Sequence, residues 1–234
     1  MRGNDHFAVW MAVAAAVAAL AALSPMALAQ DDPQGEAASQ AIDTYDPDQV
    51  DPNRVKGEPW TFDLQFEHPQ PIVVRTPGGQ REVYWYLVYT VTNRAKEAKQ
   101  FIPAFTLYTD KAVLRRAGVF PSVHEAVKAA RKIRFLQNAV TMHGKVMPGE
   151  GNARTGVAIF APLDRDTDRF SIFCEGMSGQ YVERPNLAAK PDAPDDKKVV
   201  RLRKTLALTY KLPGDKWWLN LDQPVFVSKK WTWR

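Results

Sequence analysis

The strongest constraint on the fold is a succession of short alternating apolar segments separated by turn residues, beginning near Trp60 and continuing to the end of the sequence. Trp60–Phe66 alternates apolar and polar side chains, which is typical of a strand with one buried face. Val83–Thr92 is aromatic or β-branched on both faces, which predicts a central strand that is covered on both sides. Seven or more such segments with one helical stretch predict an antiparallel β-sandwich, because an α/β sheet would need a helix between most strands.

Two local patterns refine this prediction. Ile72–Val74 is followed by a turn at Thr76–Gly79 and then by the strongest strand, which indicates a hairpin. Ser122 with Glu125 three residues later has the pattern of a capping box, followed by apolar residues at helical spacing. We therefore expect one short inserted helix over residues 122–136.

The N-terminal segment has the features of an export signal. A short basic start precedes the almost unbroken apolar run Phe7–Leu23, and a small-x-small motif ends at Ala29. The alternative is a membrane anchor, but a spanning helix needs about 20 apolar residues and this run is shorter. We expect a signal peptide at residues 1–29, cleavage between Ala29 and Gln30, a periplasmic or secreted location, and no membrane span after cleavage.

Charge divides the rest of the chain into two parts. Gln30–Asn53 holds seven acidic residues and no basic one, whereas the chain from Arg54 onward holds 30 lysines and arginines against 18 aspartates and glutamates. We expect a disordered acidic leader at residues 30–57 and a single domain at 58–234, with a mobile Pro- and Asp-rich insertion at 183–198. The basic domain favours an anionic partner, and an exported location argues against nucleic acid.

Five short segments carry a resemblance to a known family. They are a strand ending in an Asn turn, a strand of the form F-x-L-x-x-D, a Pro-Gly-Glu turn, a strand opening on glycine and a further core strand, at Tyr89–Asn93, Phe105–Asp110, Pro148–Glu150, Gly156–Phe160 and Phe170–Ile172. Over about residues 83–174 the chain resembles the telokin-like, immunoglobulin-fold domains of bacterial secreted proteins and lipoproteins. The resemblance implies an immunoglobulin-like sandwich with a binding or accessory role in the envelope, and it supplies no active-site residues.

The sequence offers two candidate binding surfaces. Four cations lie on or just after the predicted helix, and two adjacent tryptophans lie near the C-terminus: Lys128, Arg131, Lys132, Arg134, Trp217 and Trp218. Cations on one helix can hold an anionic surface, although they are equally typical of a solvated helix face. Aromatic side chains can stack on sugar rings or contact another protein.

Three further side chains are expected in the core. Cys174, the only cysteine, shares a strand face with Phe170 and Ile172, so we expect a buried and unreactive thiol. Trp231 and Trp233 continue the alternation of the last strand, which favours the core, while a binding surface is the alternative.

Catalytic and metal-binding patterns are weak. Asp164, Asp166 and Asp168 have the spacing of a calcium loop, but Arg169 stands where such a loop needs glycine. The three histidines after the cleavage site are scattered, and no nucleophile elbow is present. We therefore expect no metal or cofactor and a non-catalytic envelope protein that binds a protein, glycan or anionic surface component through a basic or aromatic face. The alternative is an envelope enzyme of the hydrolase class whose site is assembled from scattered residues.

Overall fold

The structure, a computed structural model, describes residues 50–76, 78–190, 192, 194–213 and 223–234. This part of the chain is mainly β and antiparallel, as the alternating pattern predicts. Its strands are β1 (Val55–Phe66), β2 (Gln70–Arg75), β3 (Arg81–Asn93), β4 (Lys99–Phe101), β5 (Ala104–Thr109), β6 (Leu114–Arg116), β7 (Gly144–Val146), β8 (Arg154–Phe160), β9 (Arg169–Glu175), β10 (Ser178–Pro185), β11 (Val199–Lys211) and β12 (Val225–Trp233). Strands β4 and β7 form a small separate pair, and the other ten belong to one sheet.

Strand β3 is the centre of the first half of the sheet. On one edge it pairs with β2 and then with the second half of β1, and on the other edge it pairs with β8. Its Trp85, Leu87 and Tyr89 face the main core, while Tyr86 and Val88 pack on the opposite side. The predicted hairpin and the predicted doubly covered strand are both confirmed.

The second half of the sheet is built along β11. Strands β9 and β10 follow one another along one edge of β11, with Leu206 opposite Cys174 and Arg203 opposite Tyr181. Strand β12 pairs with the other edge, and β5 and β6 continue the sheet beyond β9. The first half of β1 pairs with β10, so β1 belongs to both halves of the sheet.

The main core contains side chains from both halves of the sheet. The fully buried members with the largest side chains include Tyr89, Phe160, Phe170, Leu206 and Tyr210. Cys174 is a free cysteine with no exposed surface in this same cluster, which confirms that it is buried.

Helix α1 (Pro121–Arg131) packs on the other face of β3 and β8, where its Val123 and Val127 are buried. The predicted bounds of 122–136 and the predicted capping box are wrong. Phe120 occupies the N-cap position without a side-chain hydrogen bond, and Lys132 adopts a left-handed conformation at φ 55° that ends the helix. A second helix of one turn, α2 (Ala139–Met142), was not expected from the sequence.

The structure also corrects two boundaries. Residues 52–57 were expected in the disordered leader, yet a 3-10 turn spans Pro52–Arg54 and β1 begins at Val55, because Val55–Gly57 pairs with β10. The predicted insertion at 183–198 begins inside β10 and contains a 3-10 turn at Asp195–Lys197. The predicted signal peptide and the leader up to residue 49 lie outside the described residues. Among the helices that the structure describes, none is long and apolar enough to cross a membrane.

Candidate binding face

The cations predicted on the helix differ in their surroundings. Arg131 forms an ion pair with Glu67, which follows β1, and Lys128 lies 3.9 Å from Glu125. This ion pair links the last residue of α1 to the segment that follows β1, and the Glu67 carboxylate compensates the charge of Arg131.

The other two helix cations lie beyond the last turn of α1. Lys132 and Arg134 form no ion pair with any residue in the described parts of the chain, and the Arg134 guanidinium lies 5.1 Å from the ring centroid of Phe135. The predicted basic helix thus offers two uncompensated cations rather than four.

The tryptophan predictions have mixed outcomes. Trp217 and Trp218 lie outside the described residues. Trp231 is half-buried and packs against the main core, and Trp233 is half-buried as well. The prediction for Trp231 and Trp233 assumed regular alternation along the last strand, and this assumption is wrong at Val227. Phe226 and Ser228 pair with consecutive residues of β11, so Val227 is an extra residue that forms a bulge.

A larger concentration of free charge lies on the outer face of the second half of the sheet. Along β9 the side chains of Phe170, Ile172 and Cys174 point to the core, so those of the alternate positions point outward. The register extends this outer row to β5, β6, β11 and β12. We call the outward side chains of these five strands, starting at Arg203 on β11, the binding face: Ala104, Thr106, Tyr108, Leu114, Arg116, Arg169, Ser171, Phe173, Glu175, Arg203, Thr205, Ala207, Thr209, Lys211, Val225, Ser228, Lys230, Thr232 and Arg234.

Six cations belong to the binding face and Glu175 is its one acidic member. None of the six forms an ion pair with an acidic side chain within the described ranges, and Glu175 forms none with them: Arg116, Arg169, Arg203, Lys211, Lys230 and Arg234. The face therefore carries a strong excess of uncompensated positive charge.

Small side chains form the middle of the binding face. Thr106, Thr205 and Ala207 are buried, and the hydroxyls of Ser171 and Thr209 lie 3.0 Å apart in a hydrogen bond. Phe173 is central and half-buried, with the guanidinium of Arg234 at 4.2 Å from its ring centroid. The centre is thus flat and rich in hydroxyls.

The cations surround this flat centre. Across five strands the face measures roughly 19 Å at about 4.8 Å per strand, with Arg116 near one edge and Lys230 near the other. Along β11 the nine residues from Arg203 to Lys211 span about 26 Å, at about 3.3 Å per step. A ligand that contacts several of these cations at once must therefore be extended.

A cavity of about 500 Å³ opens beside β5 and β6. Its lining includes Tyr89 from the interior and six residues of the binding face: Ala104, Thr106, Leu114, Arg116, Glu175 and Arg234. Three charged side chains thus line one cavity without an ion pair between them.

The buried titratable groups belong to the core. Burial raises the pKa of the Cys174 thiol and of the Tyr89 and Tyr210 phenols well above their ordinary values. These groups are therefore protonated at neutral pH, and a protonated thiol is a poor nucleophile. No group of three or more metal-ligating side chains occurs in the part of the chain that the structure describes.

Comparison with known proteins finds no matching family model, no matching curated protein and no matching solved structure. The binding face was not predicted from the sequence. Its residues are the ones that alternate with the predicted core residues along each strand, so the same alternation could have located them strand by strand.

Proposed function

We propose that this protein is an exported, non-catalytic binding protein that holds an anionic glycan of the cell envelope on its binding face. The observation that carries the proposal is the group of six cations on one sheet face, none of which pairs with an acidic side chain in the part of the chain that the structure describes. The signal peptide that the sequence predicts at residues 1–29 supports the envelope location. The resemblance of residues 83–174 to telokin-like, immunoglobulin-fold domains supports an accessory role.

The electrostatics favour an anionic ligand. Like charges on one face repel each other in the free protein, and a bound polyanion relieves this repulsion while it gains attraction to each cation. Screening acts over about 8 Å at physiological ionic strength, so a ligand must come close to the surface to gain most of this energy.

The centre of the binding face favours a glycan over other polyanions. Sugars present many hydroxyl groups, and Ser171, Thr209, Ser228 and Thr232 present hydroxyls in return. Phe173 is half-buried and lies under the Arg234 guanidinium, so only the part of its ring that Arg234 leaves uncovered can contact the apolar side of a sugar.

We also propose an immunoglobulin-like sandwich for the domain. The half formed by β1, β2, β3 and β8 and the half formed by β5, β6, β9, β11 and β12 both contribute to the main core, as facing sheets would. In such a sandwich the binding face lies on the side of the second half that points away from the main core.

The proposal is tested by titrating the purified chain with polygalacturonate and with neutral dextran at low and physiological ionic strength. We expect polygalacturonate alone to bind, with an affinity that falls as salt rises. The variant R203Q/K230Q should bind about tenfold more weakly, since each lost contact is worth about 0.7 kcal/mol. The matched helix variant K132Q/R134Q should bind as the wild type does.

The two variants distinguish the surfaces. Weakening by K132Q/R134Q with no effect of R203Q/K230Q would assign binding to the predicted basic helix region instead. Equal binding of dextran and polygalacturonate, or binding that is indifferent to salt, would contradict the electrostatic proposal.

A further inference from the structure

The cavity at the edge of the binding face contains opposite charges that do not neutralise each other. Arg116 lies opposite Thr106 on the neighbouring strand, and Glu175 lies opposite Ala104. Two strand spacings and one pleat repeat separate the Cα atoms of Arg116 and Glu175 by roughly 12 Å. This separation explains why they do not pair, and it leaves room between them.

We propose that this cavity is an end-binding subsite for a single terminal acidic sugar unit, an inference that rests on the proposed function. Arg116 and Arg234 supply guanidinium donors for the carboxylate of such a sugar. The Glu175 carboxylate accepts hydrogen bonds from the sugar hydroxyls. The remaining units of the glycan then extend over the flat centre towards Lys230.

The lining distinguishes an acidic sugar from a bare anion. A free phosphate is attracted by the two arginines, but it meets the negative charge of Glu175 and offers few donors to it. The cavity volume of about 500 Å³ also exceeds what a single inorganic anion fills, and it lies in the usual range for organic ligands. Leu114 and Pro103 offer apolar surface against which one side of a sugar ring can pack.

The test measures binding of monomeric galacturonic acid, galactose and inorganic phosphate to the purified chain by calorimetry or NMR titration. We expect galacturonic acid to bind more tightly than either galactose or phosphate. The R116Q variant should weaken galacturonic acid binding by about tenfold or more, because a charge-assisted contact is lost. Arg116 is exposed, so this change leaves the core untouched.

The matched control is R169Q, which removes a cation of the same binding face outside the cavity. It should leave binding of the monomer unchanged while it weakens binding of polygalacturonate. Unchanged monomer binding in R116Q, or phosphate binding as tight as that of galacturonic acid, would overturn the end-binding subsite.

The polymer measurement separates this inference from the proposed function. If polygalacturonate binds through the binding face but the monomer does not, the end-binding subsite is wrong and the proposed function stands. If neither polygalacturonate nor galacturonic acid binds, both the end-binding subsite and the proposed function are wrong.

Discussion

The stability of this protein should fall in alkaline solution, and Cys174 should cause the first part of the fall. The thiol has no exposed surface and its strand pairs on both edges, with Phe105 opposite it on β5 and Leu206 opposite it on β11. Burial therefore raises its pKa in the folded state, whereas the unfolded chain has the ordinary thiol pKa of about 8.5.

The sign and size of the effect follow from proton linkage. Above the unfolded pKa the unfolded chain loses the thiol proton and the folded chain keeps it, so the unfolded state gains stability as pH rises. The full contribution is present below about pH 8.5 and is lost as pH rises towards the folded pKa. Between about pH 8 and about pH 9.8 this single group lowers the free energy of unfolding by about 1.6 kcal/mol.

The assay is urea unfolding of the wild type and of C174A at both pH values. The alanine variant lacks the thiol, so its free energy of unfolding should fall by about 1.6 kcal/mol less over the same interval. The absolute stability of C174A does not enter the comparison, because each protein is compared with itself. Tyr89 and Tyr210, whose unfolded pKa is about 10, add their own losses at higher pH in both proteins.

An equal fall in the free energy of unfolding with pH in the wild type and in C174A would refute this prediction, because it would mean that the thiol has the same pKa in the folded and unfolded states. Rapid reaction of native Cys174 with a thiol reagent would lead to the same conclusion.

Two predictions concern α1. K132G should raise the free energy of unfolding by about 0.5 to 1 kcal/mol in urea titrations, because glycine adopts the left-handed conformation at φ 55° without the steric cost that Lys132 bears. The same variant should bind polygalacturonate as tightly as the wild type does. A loss of stability would contradict the first expectation, and a loss of affinity would contradict the second. V127A should lower the free energy of unfolding by about 2 kcal/mol, because it removes two fully buried methyl groups. A129G, at an exposed position of the same helix, should cost about 1 kcal/mol through helix propensity alone. Because alanine is a better helix former than valine, V127A without any loss of stability would mean that the packing of Val127 contributes nothing.

The parts of the fold that were predicted from sequence are those that depend on local pattern. Alternation located β3 and the core side of β9, and the turn residues located the hairpin between β2 and β3. The end of α1 was misplaced because apolar spacing continues to Leu136, which is buried without being helical, while the conformation of Lys132 leaves no mark on that spacing.

The binding face could not be predicted in the same way. Arg116 and Arg234 are 118 positions apart in sequence, and only the pairing of β6, β5, β9, β11 and β12 brings their neighbourhoods onto one surface. The bulge at Val227 adds a second obstacle, because one extra residue exchanges the inner and outer positions of the strand that carries Lys230.

The double membership of β1 has a consequence for folding kinetics. Its second half pairs with β3, which lies nearby in sequence, but Val55 in its first half pairs with Val182. The chain between Val55 and Val182 must close into a loop before the contacts between these strands can stabilise the fold. Domains in which such distant pairings dominate fold in about milliseconds to seconds. During synthesis from the N-terminus, the first half of β1 therefore waits without its partner until β10 has been made.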